Sequence, residues 1–146
     1  MNQRLSGFLV ASVLVIGLYS LHGSGAAPAG RYTLTSTTVY DTKTKLTWQR
    51  VSSPAAYTWS DALQYCAKNA PWRMPTYKEL FTIVDTASTT SPLLDGAFSF
   101  DSMNSFTGFW SSTTINVDLS MTISFSPPGG SAQAPRAASY SVRCVF

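Results

Sequence analysis

The chain has 146 residues, room for one domain rather than two, with a formal charge of only +3. Charged residues make up 12% of it and aromatics 13%, a balance that excludes a disordered chain and suits a Ser/Thr-rich, strand- and loop-based surface. So small a positive excess, spread along the chain, gives no basis for nucleic-acid binding.

Met1-Asn2-Gln3-Arg4 is a short start with one fixed positive charge. Leu5 to Leu21 is apolar or small and uncharged, and Gly23-Ser24-Gly25-Ala26-Ala27 is a run of small residues. That order is a secretory signal peptide over residues 1–26, with Ser24 and Ala26 in the small-residue positions of a cleavage site. Cleavage one residue later would place Pro28 first in the product. No cysteine lies near the site to accept a lipid. The expected product is a single domain over residues 27–146, secreted or periplasmic, with the cell surface as a further destination. Its only membrane contact is through the signal peptide before cleavage.

Arg31 to Gln49 reads as three strand runs, Tyr32–Leu34, Val39–Tyr40 and Leu46–Trp48, with a polar turn at Asp41–Lys45. A helix capped by Thr58 comes next. Trp59, Ala62, Leu63 and Cys66 share its buried face, and Pro71 ends it. A second helix opens after Pro75. Thr76 and Glu79 have the spacing of a capping box, which accounts for the one Glu of the chain as a structural residue. Residues 86–108 show no sustained period, and a loop of that length is usually functional or mobile. Phe109–Trp110 and the alternation Met121, Ile123, Phe125 read as strands. Pro127-Pro128-Gly129-Gly130 is a break. The last strand carries Tyr140, Val142, Cys144 and Phe146 on one face and Arg143 on the other. The architecture is therefore α+β: two short helices, antiparallel strands and a long loop.

The two cysteines, Cys66 and Cys144, are expected to close as a disulfide in an oxidising compartment. The only histidine, His22, lies in the signal peptide, so the mature domain has no histidine for triad, general acid–base or metal chemistry. No phosphate-binding or dinucleotide motif occurs. Asp85, Asp95, Asp101 and Asp118 offer oxygen donors that calcium would accept, but in no calcium-loop pattern. No cofactor, no metal and no enzymatic activity are expected. Trp48, Trp59 and Trp72 read as structural, whereas Trp110, just after the long loop, reads as more open.

Five segments carry a resemblance. Asp41–Gln49 ends in Leu46-Thr47-Trp48-Gln49. Thr58–Cys66 holds Thr-Trp-x-x-Ala-x-x-Tyr-Cys. Trp72–Leu80 holds Trp-Arg-Met-Pro-Thr-x-x-Glu-Leu. Phe109–Thr113 and Val142–Val145 complete the set. In this order they resemble the Lcl C-terminal domain family, over about Tyr32 to Phe146. The resemblance implies a C-type lectin-like fold in which a first-helix cysteine pairs with one on the last strand. It also implies, through the family's adhesin member, recognition of sulfated glycans. The Glu-Pro-Asn and Trp-Asn-Asp triplets of calcium-dependent lectins are missing, so calcium-dependent sugar binding does not carry over.

Two functions fit. One is an adhesin-like binding module that recognises anionic or sulfated glycans through loops 86–108 and 127–136. Arg73, Lys78, Phe98, Phe100, Phe106, Trp110 and Arg136 are its candidate contacts, and Lys68 adds charge nearby. The other is a structural or assembly component of the envelope that binds an extracellular protein partner. An apolar patch of Phe98, Phe100 and Phe106 would favour it.

Overall fold

The computed structural model describes residues 27–101 and 107–146, so the expected signal peptide and Phe106 lie outside the described residues. Three short strands open the fold: β1 (Tyr32–Leu34), β2 (Thr38–Asp41) and β3 (Thr47–Gln49). They form an antiparallel sheet in the order β1-β2-β3, with Val39 opposite Trp48. Val39, Asp41 and Trp48 are buried while Tyr40 faces out, the alternation of a half-covered sheet. The turn between β2 and β3 is built by Asp41. Its carbonyl accepts from Lys45 N–H at 2.8 Å and its Oδ1 accepts from Lys43 N–H at 2.9 Å.

Helix α1 spans Trp59–Ala67, with the Thr58 side chain accepting from Asp61 N–H. Helix α2 is short, Tyr77–Phe81, and its capping box is complete: Thr76 Oγ1 accepts from Glu79 N–H and the Glu79 carboxylate accepts from Thr76 N–H. A second antiparallel sheet comes after it, β4 (Phe109–Thr114), β5 (Leu119–Ser124) and β6 (Gly130–Pro135), in that order.

The core has two clusters. One gathers Val39, Trp48, Leu80, Ile83, Leu94, Phe98, Phe109, Ile123, Phe125 and Val145. The other gathers Ala62, Cys66, Met74, Trp110, Ala134, Val142 and Cys144. The C-terminal segment runs between them, and this decides its chemistry. Val142 and Cys144 enter the second cluster. Val145 enters the first, and Arg143 points to the same side. Both faces of the segment are therefore covered, and period-two alternation no longer separates core from solvent.

Cys66 and Cys144 are disulfide-bonded, with Cα atoms 5.4 Å apart, which ties α1 to the C-terminal segment. Gln49 clamps the second cysteine: its N–H donates to Cys144 O at 3.0 Å and its Oε1 accepts from Cys144 N–H at 3.1 Å. The α+β architecture, both helices and the cap at Glu79 agree with the sequence reading.

Three expectations are corrected. The segment after Pro127 is not a recognition loop throughout, because Gly130–Pro135 zips onto β5 over six residue pairs, Leu119 to Ser124. Small, polar residues gave no apolar alternation there. The C-terminal segment forms isolated bridges, to Tyr57, Phe109, Trp48 and Arg73, rather than a continuous strand. The part of the long loop that is described is neither free nor wholly exposed, since Leu93, Leu94, Ala97 and Phe98 are buried.

Candidate functional site

Two surface grooves flank helix α1 and share Gln64 and Ala67. On one side a groove of about 510 Å³ is lined by Tyr57, Asp61, Gln64, Tyr65, Ala67 and Lys68. The Tyr57 and Tyr65 rings stack there with centroids 5.2 Å apart and planes 25° from parallel. Partial burial beside Tyr57 raises the pKa of the Tyr65 phenol, so it stays a neutral donor and acceptor. Tyr57 is fixed by backbone bonds in both directions with Tyr140, at 2.8 and 3.0 Å. Tyr65 is partly buried against the cluster that holds the disulfide, and its phenol meets the Gln49 side chain. Gln64 and Lys68 beside this pair are exposed.

The other groove, about 500 Å³, has a largely apolar floor of Leu63, Ala67 and Met74, with Arg73, Thr76 and Ser112 around it. Arg73 holds Glu79 with both arms of its guanidinium, at 2.8 and 2.6 Å. Arg73, together with the two Thr76 donors, holds the Glu79 carboxyl down to about 2 against the opposing effect of burial. At the start of α1, Arg136 lies 4.2 Å over the Trp59 ring and donates to Ser120 Oγ and to the Asn116 carbonyl, both at 2.9 Å.

The structure separates the residues singled out from sequence. Arg73 and Arg136 sit on the α1 side of the molecule, each already engaged. Lys78 is exposed on α2. Phe98 and Trp110 are core residues, 5% and 0% exposed. The Trp110 indole N–H donates to Tyr57 O at 2.8 Å, and its ring meets Tyr140 edge-on. Phe100 packs edge-on against Phe109 and Phe125. Phe98 and Trp110 are therefore not on an open surface, whereas Phe100 is half-buried. The reason is shared: the segments that carry them supply large apolar groups that close the two core clusters. Trp48 is fully buried, whereas Trp59 and Trp72 are half-buried; Trp72 packs edge-on against Phe146.

Arg143 is fully buried. Its guanidinium lies 5.1 Å from the Phe98 ring centre and 5.3 Å from that of Phe100. It donates to the carbonyls of Gln49, Arg50 and Ser99. Burial pushes its pKa down to about 9, which leaves it charged at neutral pH. It is a structural cation that fastens the loop at Ser99 to the end of β3.

Among the described residues no group of three or more His, Cys, Asp or Glu comes together as a metal would need. The carboxylates have local tasks. Asp41 pairs with Arg31 at 2.8 Å, Asp61 bonds Thr58, and Asp85 and Asp95 accept backbone N–H groups in their own turns. No helix among the described residues is long and apolar enough to cross a membrane.

The Lcl C-terminal domain model matches residues 37–146, well over half of the chain, and the protein belongs to that family. No curated protein matches it. Among solved structures, the crystal structure of EMS16, an antagonist of the collagen receptor integrin α2β1, is similar at 10% identity with a TM-score of 0.46. The match covers 82% of this chain and 98% of that one. So loose a similarity carries no functional argument.

Sequence reasoning misses the α1 flank although a signal is there. Tyr65 lies off the face shared by Trp59, Ala62, Leu63 and Cys66, which places it at the edge of the buried stripe, where it stacks on Tyr57 half-buried.

Proposed function

We propose that the protein is an exported, non-catalytic binding module that takes a glycan along the exposed flank of α1. The observation that carries this reading is the stacked Tyr57–Tyr65 pair beside Gln64 and Lys68 in an open groove. Aromatic faces pack against the C–H face of a sugar ring, and their polar ends stay wet. An amide and an ammonium next to them supply direction and charge, and Lys68 favours a carboxylated or sulfated ring as a compact point charge. A few placed polar groups beside an apolar surface is the usual composition of a small-ligand site. The adhesin member of the family, which recognises sulfated glycans, supports the same class of ligand.

The test is binding of the exported protein to immobilised neutral and sulfated glycans at low and high salt. The reading expects retention of sulfated members that weakens as ionic strength rises. It expects loss of at least about tenfold in Tyr65→Ala and a smaller, salt-sensitive loss in Lys68→Gln. Retention unchanged in both variants refutes the site.

A protein partner is favoured by a different feature. Ile115 and Val117, at the tip between β4 and β5, are 46% and 81% exposed, and two bare aliphatic side chains on one hairpin suit an apolar contact. Binding there is insensitive to salt and to Tyr65→Ala, and is lost in Val117→Asp.

A further inference from the structure

We propose that hydrolysis of the Ala26–Ala27 bond creates an α-ammonium that docks on the Asp95 carboxylate, so that processing itself locks the long loop to the new N-terminus. Two independent observations meet at one residue. The sequence places small residues at Ser24 and Ala26, as a signal-peptide cleavage site requires, and puts Pro28 second rather than first in the product. The structure places the Ala27 nitrogen 3.2 Å from Asp95 Oδ2, a contact across 68 residues of chain.

Asp95 is prepared for this partner. Its Oδ1 is occupied by Ala97 N–H at 2.8 Å, which leaves Oδ2 for Ala27. As an amide, the Ala27 nitrogen offers one neutral donor. As a terminal ammonium it offers three donors and a full charge, and a charge-assisted bond is roughly twice as strong as a neutral one. The cleavage balances simply. One water is consumed, the Ala26 carbonyl leaves with the excised segment as a carboxylate, and the nitrogen stays on Ala27 as a protonated amine. An export endopeptidase is the catalyst required.

The charges around the position favour a cation. Ala27 and Asp95 line a cavity of about 230 Å³ with Arg31, Tyr32 and Asp85. Asp85 Oδ1 accepts from Ala87 and Ser88 N–H. Arg31 is committed to both oxygens of Asp41 and to the Thr82 carbonyl. Tyr32 is a neutral phenol, pushed up to about 12 chiefly by burial. Neither Asp85 nor Asp95 takes part in an ion pair among the described residues. The cavity therefore holds two carboxylates whose charge an ammonium at Ala27 offsets. Asp95 also belongs to the loop whose Leu93, Leu94, Ala97 and Phe98 fill the core, so fixing it steadies packed structure.

The experiment begins with the intact mass of the exported protein, expected to start at Ala27. Melting is then compared with a chain carrying Gly-Gly before Ala27, which keeps the Ala27 N–H but moves the charge away. The processed chain is expected to melt about 2–4 °C higher at pH 7, the size of a partly exposed ion pair in a domain of this length. A free α-amine titrates near about pH 8, and contact with a carboxylate raises that value. The stabilisation is thus complete below about pH 7.5 and lost as pH climbs toward about 10, closing the gap. Asp95→Asn keeps the Oδ1 acceptor but puts a donor in place of Oδ2, so it abolishes the gap; the mass of this variant is checked because an asparagine preceding Gly96 can deamidate. A mature chain starting elsewhere than Ala27, a gap that survives Asp95→Asn, or one that persists at about pH 10 overturns the proposal.

Discussion

Removing the disulfide tests the covalent frame of the fold. Cys66 and Cys144 are separated by 78 residues and are 1% and 0% exposed. Loop-closure entropy for a ring of that size corresponds to about 4.5 kcal/mol at 25 °C. The mature length expected, residues 27–146, is 120 residues. A domain of that size melts with an entropy change of about 0.25 kcal/mol/K. The expected fall in Tm on replacing both cysteines by alanine is therefore about 15–20 °C. Alanine is preferred to serine because a hydroxyl at fully buried Cys144 would add the penalty of an unpaired polar group, about 1–3 kcal/mol. The assay is calorimetric melting of the oxidised protein, of the same protein with reductant, and of the double variant. Reduced and double-variant proteins should melt within a few degrees of each other. A fall under about 5 °C refutes the reasoning. It would mean that the Gln49 clamp on Cys144 and the bridges to Trp48 and Arg73 already hold the C-terminal segment, and that the reduced chain stays compact when unfolded.

Arg143→Lys should destabilise more than Arg143→Met, by about 2–4 against about 1–2 kcal/mol in urea titration. A lysine cannot lie flat between Phe98 and Phe100 while reaching three carbonyls, and its more strongly hydrated charge stays buried. Methionine removes the charge, and the Arg50 and Ser99 carbonyls keep their bonds from Ser99 and Ser52 N–H. The reverse order refutes the assignment. Glu79→Gln should flatten the acid limb of stability. The Glu79 pKa of about 2 lies below its ordinary 4.5, so its contribution is complete above about pH 5 and is lost as pH falls toward 2. With Arg73 46% exposed, solvent screening reduces that contribution to about 1–2 kcal/mol. A variant whose melting falls as steeply as the parent's between about pH 5 and 2 contradicts this.

Periodicity and caps made the helices legible, because each is a local property: Thr58 and Thr76 sit where a capping side chain must, and the cysteine falls on the buried stripe of α1. Tertiary sandwiching was not legible. Alternation along Tyr140–Phe146 assigns Arg143 to the face opposite Cys144 correctly, but only the presence of a core cluster on each side makes that opposite face interior. The same layering removes Trp110 from the surface, since a residue just after a loop is exposed only if nothing packs over it, and Tyr140 does. Arg143 accounts for the inward placement of Phe98, which is buried, and of Phe100, which is half-buried. A buried guanidinium needs carbonyls and ring faces around it, and the loop next to Ser99 provides both. The proposed glycan site lies on the other flank, where α1 is held by its disulfide and its Trp59–Ser111 bond of 2.9 Å, with Gln64 and Lys68 exposed and Tyr65 half-buried beside them. Residues of a rigid helix can hold a ligand without the ordering cost that a long loop would incur. Of the segments that carry the family resemblance, Thr58–Cys66 is α1 with its cap, and Phe109–Thr113 and Val142–Val145 supply the Ser111 carbonyl and the Cys144 sulfur that fasten it.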